Sequence, residues 1–204
     1  MQTALDDFRA SIARVRHLPI MHAHLVATFL PPPVAGLDID DLLRSQVVMT
    51  VSALDYYVHE LTRLGMIEVL EGKRPVIPPF EKYQVSLDAA KSGILAPGTS
   101  AWLDTEIRTK HGFLSFQKYD KIADAIRLFS AAALWTDVAA HLGVQPVDIK
   151  LELELLVQRR NKIAHEADLD PSFPGVRWPI TAAQATRATD FVESICETIH
   201  LVIV

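Results

Sequence analysis

The chain has 204 residues, half of them hydrophobic, with a net charge of −5 and a single cysteine. That length accommodates one well-buried core. The acidic balance excludes a protein that coats nucleic acid through a broad basic surface, and the lone Cys196 excludes an internal disulfide and suits a reducing cytoplasm.

A few cations gathered around one phosphate remain compatible with an acidic chain, because distant charges are screened at physiological salt. The high apolar content points to surface buried against a partner, of which a second copy is the simplest. From the N-terminus, Leu5, Phe8, Ile12 and Val15 fall at helical spacing over 3–17, and a second apolar run reaches Leu30 before Pro31, Pro32 and Pro33. The stretch from His17 to Leu37 lacks Asp, Glu, Lys and Arg, but its prolines preclude a regular membrane-spanning helix. Asp6 and Asp7 near the start do not read as a secretion signal. Residues 1–39 thus read as a helical extension of unassigned role.

Asp38 or Asp40 can cap the next helix, in which Leu43, Val47, Val51, Leu54, Val58 and Leu61 recur at three and four residues and which the pattern ends near Gly65. A turn-rich connection follows over 71–79, with a β element within 68–77 left open. Short helices are predicted over 81–92 and 99–111. Ser115 or Gln117 opens a long one carrying Ile122, Ile126, Phe129, Leu134, Trp135 and Val138, closed by Gly143. Pro146 and Asp148 start a helix that runs to about Asp168, and 181–204 forms the last, with Phe191, Ile195 and Ile199 on one stripe. No segment alternates with period two, so the fold class is all-α: one domain over 1–204, a bundle of long antiparallel helices.

On the helix that starts at Pro146, Ile149, Leu153, Leu156, Val157, Ile163, Ala164 and Ala167 project within about 60° of Arg160. Arg160 therefore sits in the apolar stripe and needs a carboxylate, carbonyl groups or a bound anion beside it. Asn161, His165 and Asp168 share a polar flank, with Asn161 and His165 spaced i, i+4. Spacing alone does not establish a site and favours Arg160 paired with an internal carboxylate and His165 as a helix-end histidine facing the dipole. Asp55, His59 and Thr62 share a flank of the long earlier helix, either supporting this segment, with Asp55 as the partner of Arg160, or forming a solvated edge. His59-Glu60 lacks the second histidine of a zinc-protease helix, Arg63 standing there instead. His22 and His24 diverge on a helix and have no nearby third ligand, so no metal and no other cofactor is expected. Cys196 is expected to be buried, without a basic partner. No glycine-rich phosphate loop or nucleophile elbow is present, which removes the common NTPase and hydrolase readings.

The run Leu155-Leu156-Val157-Gln158-Arg159-Arg160-Asn161-Lys162-Ile163-Ala164-His165-Glu166-Ala167-Asp168 resembles the signature helix of the HEPN superfamily, in its RiboL-PSP-HEPN branch, whose motif is an Arg, four to six residues, then a His, commonly with a polar residue after the Arg. Arg160, Asn161 and His165 match it. The resemblance extends to Ser52 through Glu60, to Trp135, to Val138 through Gly143, and to Trp178-Pro179-Ile180. It covers most of the chain after about Asp40. It implies an α-helical bundle, homodimers with two-fold related motif helices and, in active members, endoribonuclease activity without a metal. Some members are toxins with a cognate antitoxin or serve in phage defence; others are non-catalytic dimerisation or RNA-binding modules. For this chain it implies an RNA substrate cut by attack of the 2′-hydroxyl to leave a 2′,3′-cyclic phosphate. Imidazole, which ordinarily titrates near 6.5, suits both base and acid; the roles fall to His165 as base and acid, Arg160 as charge stabiliser and Asn161 as orienting group. Arg159 and Lys162 would hold flanking phosphates or simply be solvated, and Asp55 and Asp168 would support them.

Overall fold

The computed structural model describes residues 1–29 and 38–204, so the triple proline lies outside the described residues. Among the described residues the chain forms ten helices and no strand, and an isolated bridge joins Leu169 to Arg177. Helix α1 (Gln2–Val15) buries Leu5, Phe8, Ile12 and Val15, the four residues its spacing singled out. Helix α2 (His17–Phe29) accommodates Pro19 in its first turn, where the missing N–H costs nothing, and buries no residue fully. The second apolar run is thus a surface helix.

Helix α3 (Asp41–Leu70) is the axis of the molecule, with Val51, Leu54, Val58 and Leu61 wholly enclosed. It does not end at Gly65. A Cβ there would lie 2.2 Å from Phe129 Cδ2, so this glycine admits an aromatic ring against the helix backbone and the chain turns only at Gly72, with φ of 70°. The first residues of the 68–77 stretch complete α3 and the rest form turns and a loop, without a strand. Helices α4 (Pro78–Glu81), α5 (Leu87–Leu95) and α6 (Ala101–His111) follow, α5 capped by Ser86, whose Oγ accepts the Ala89 N–H.

The long helix predicted from Ser115 to Gly143 is in fact two, α7 (Tyr119–Ile126) and α8 (Leu134–Leu142). Between them Phe129 is turned into the core at Gly65, and the Ser130 hydroxyl takes the Ala132 N–H, competing with the helical bond. Gly143 closes α8 in the left-handed conformation, as expected. Helix α9 (Pro146–His165) opens on a first-turn proline, and α10 (Ala182–Ile203) on a capping box between Thr181 and Gln184.

Long-range contacts fix the directions. Met1 meets Glu68 and Phe8 meets Tyr57, so α1 runs antiparallel to α3; Arg44, near the start of α3, reaches Asp168 beyond the end of α9, so α9 is antiparallel as well. Helix α10, antiparallel to α9, runs parallel to α3: Thr189 bonds to Gln46 and Thr50, and Arg74 donates to the Ile203 carbonyl at the far end. No described helix is long and apolar enough to cross a membrane. Cys196 is fully buried and its thiol is pushed well up by burial.

Candidate functional site

The site is built outward from α9. Ile149, Leu153, Leu156 and Val157 pin the first three turns to the core. The apolar stripe projected through Ile163, Ala164 and Ala167 leaves the core there: Ile163 is half-buried, and the two alanines are exposed. After His165 the chain stops being helical. Ala167 and Asp168 take φ of 51° and 59°, and the Asp168 N–H returns to the Lys162 carbonyl at 2.9 Å.

That left-handed turn swings Asp168 inward, away from the flank it was expected to share with Asn161 and His165, until its side chain is wholly buried. There Oδ2 accepts from Arg44 Nε at 2.8 Å and from Arg159 Nη2 at 2.9 Å. Oδ1 lies 2.7 Å from Arg159 Nη1, a charge contact whose N–H does not point at the oxygen. Arg44 also binds Asp38, Asp41 and the Trp178 carbonyl, and Arg177 binds the same two aspartates. Burial opposes the charge on Arg44, but these carboxylates outweigh it and raise its pKa; burial lowers that of Arg159, with the neighbouring Arg44 working in the same direction. Arg159 is therefore paired within the fold. Lys162 sits with Nζ 5.0 Å from the centre of the Trp178 ring, a cation–π contact at the helix end.

Arg160 differs. It is half-buried, Nη1 donates to Asn161 Oδ1 at 3.0 Å, and the buried Nε has no partner among the described residues. Asp55 is not its counter-ion. That carboxylate accepts the Phe116 N–H at 2.6 Å and the Gln117 Nε2–H at 3.1 Å, fastening the loop 112–118 to α3, with the His59 ring tilted against Phe116, centres 4.4 Å apart. Thr62, the third member of that flank, is buried, and its hydroxyl has no partner among the described residues. The fastened loop, α7 and α9 enclose an open cavity of about 850 Å³ in whose wall Arg160 and Asn161 sit. Asp55 thus supports the surroundings of Arg160 through a loop rather than by pairing.

His165 is exposed at the last turn of α9 and does not line this cavity. It lies about 140° from Arg160 around the helix but about 40° from Asn161, so the bond to Asn161 draws the guanidinium round toward the flank that carries His165. Val147 is on the same line as His165, and Leu151 is about 40° away; both are exposed, as is Leu155. In the N-terminal extension His22 bonds Asp40 at 2.8 Å and His24 is exposed.

Two participants escaped the sequence reading. Arg44 lies three and seven residues before Val47 and Val51, a cation on an apolar stripe, which was a signal of a buried partner. The apolar pair Phe113-Leu114 directly after Gly112 was the signal for the cavity loop.

The family model described as RiboL-PSP-HEPN matches residues 24–204. No curated protein and no solved structure matches the chain.

Proposed function

Because the chain belongs to the RiboL-PSP-HEPN family, we propose that it is an endoribonuclease that needs no metal, with Arg160, Asn161 and His165 as its catalytic residues. One contrast carries the reading: of two adjacent arginines, Arg159 is neutralised by the buried Asp168, while Arg160 has only an amide beside it and opens onto a cavity. A guanidinium with unspent donors at a cavity wall fits phosphate oxygens.

RNA carries its own nucleophile, so no activated water is required. A base takes the proton of the 2′-hydroxyl, whose oxygen attacks the adjacent phosphorus. The bond to the 5′ oxygen breaks, and an acid returns a proton to that leaving oxygen, giving a 2′,3′-cyclic phosphate and a free 5′-hydroxyl. Arg160 stabilises the charge that builds on the non-bridging oxygens, and Asn161 holds the guanidinium in place. Base and acid must stand on opposite sides of the phosphorus, and one imidazole cannot occupy both positions. A second copy supplies the other histidine. The exposed Val147, Leu151 and Leu155, on the N-terminal half of the helix that ends at His165, are the surface on which a two-fold related α9 would pack.

Purified protein is to be incubated with mixed RNA and with DNA of the same sequence in excess chelator. RNA is cut to cyclic-phosphate ends, DNA is untouched, and a 2′-deoxy substitution at the cleaved position stops the reaction. Cleavage of all-DNA strands, or strict dependence on added magnesium, refutes the mechanism. Loss of dimerisation without any cleavage to lose, on His165→Ala, marks the non-catalytic binding module instead.

A further inference from the structure

We propose that the cavity between the loop 112–118, α7 and α9 seats one unstacked nucleotide of single-stranded RNA, adjoining the phosphate held by Arg160. The inference rests on the ribonuclease reading and names the part of the substrate that the cavity takes. Its volume of about 850 Å³ lies within the range of small-ligand sites. Its walls divide by chemistry. Phe113, Leu114 and Leu128 give an apolar surface, and Phe113, 91% exposed, touches too little protein to be serving the core. An aromatic ring left in solvent beside a cavity is what a splayed-out base stacks on.

The same lining supplies the complementary charge. Lys118, Lys121 and Arg160 line the cavity, against Asp124 as the carboxylate, and Asp124 is already bound to Arg127. His111, also in the lining, is buried and its pKa is pushed down to about 4, so it adds no charge at neutral pH. A net positive lining on a chain of net charge −5 marks this cavity as the place for a polyanion. Apolar and cationic groups in one lining, with Arg160 among the cations, suit a base and its adjoining phosphates. Duplex RNA keeps its bases stacked and cannot fill the recess.

The test measures binding without cleavage. A fluorescent, fully 2′-O-methylated RNA octamer of mixed sequence, which lacks the nucleophile, is titrated onto the full chain and its variants. Phe113→Ala weakens binding at least about fivefold, the lower bound for loss of one base stack, while the melting temperature stays that of the parent. Lys121→Gln weakens binding less and lowers the slope of log affinity against log salt by about one. A paired RNA duplex binds more weakly than the single strand. Unchanged affinity of Phe113→Ala, equal binding of the duplex, or no binding of the octamer by the parent overturns the proposal. Cleavage of unmodified RNA is scored in parallel: cleavage with a failed binding map removes the nucleotide seat alone, and a positive map without cleavage removes the ribonuclease reading alone.

Discussion

Arg159 and Arg160 share a backbone, a helix and a side-chain type, and differ in what faces them. Asp168 answers Arg159 and Arg44 together, so its removal leaves Arg159 without a carboxylate beside an Arg44 that keeps only the Asp38 and Asp41 carboxylates. Asp168→Ala is expected to lower the stability of the fold by about 3–5 kcal/mol, the cost of breaking a buried ion pair from one side, read as the shift in the urea midpoint. His165→Ala, at an exposed position, changes that midpoint by less than about 0.5 kcal/mol. Arg160→Ala and His165→Ala each reduce RNA cleavage at least about a hundredfold, the usual size for a lost charge-stabilising donor or general acid/base. A parallel fall of stability and cleavage in His165→Ala would speak for a structural role.

Among the elements, the loop 112–118 is the most consequential, because it forms one wall of the cavity and is held by few groups. Asp55 grips its backbone, and the rings of His59 and His111 flank Phe116. Burial, aided by His59 and Lys110, pushes His111 down to about 4, below the ordinary value for imidazole, so the unfolded chain binds this proton more readily than the folded one. The stability tied to neutral His111 is fully present above about pH 6.5 and is lost as pH falls from there toward 4, by roughly 3 kcal/mol over the window. Urea midpoints at pH 7 and pH 4.5 are expected to lie closer together in His111→Gln than in the parent, and an unchanged separation counts against the assignment.

The same elements show what a sequence displays. Helices α1, α3, α9 and α10 each bury one face over several turns, so their apolar spacing is legible from the residues alone. The break between α7 and α8 is not, because its cause is Phe129 finding Gly65 across the core, and a one-dimensional pattern reads both residues otherwise, as stripe and as helix end. The motif residues of α9 were legible; their environment was not. A projection at about 100° per residue places Asp168 beside His165 only while the helix continues, and the left-handed turn at Ala167 and Asp168 is imposed by arginines 124 and 9 residues away.

For the molecule as a whole, the proposed function depends on assembly. Leu151→Glu places a charge in the exposed apolar row of α9 and leaves the core of the single chain alone, since Leu151 is 55% exposed. It is expected to halve the molar mass by light scattering and abolish cleavage while the melting temperature of the chain holds within a few degrees. A parent protein that is monomeric at full activity would rule out the shared site.

Under the proposed pairing of two copies, the exposed row Val147, Leu151 and Leu155 carries a further consequence, for dosage. An enzyme whose acid and base come from two copies has an output that rises with the square of copy number until most chains are paired. Below that threshold a leaky supply of the chain would be tolerated by its host, and a modest increase in synthesis would switch cleavage on steeply, with no effector other than the protein itself.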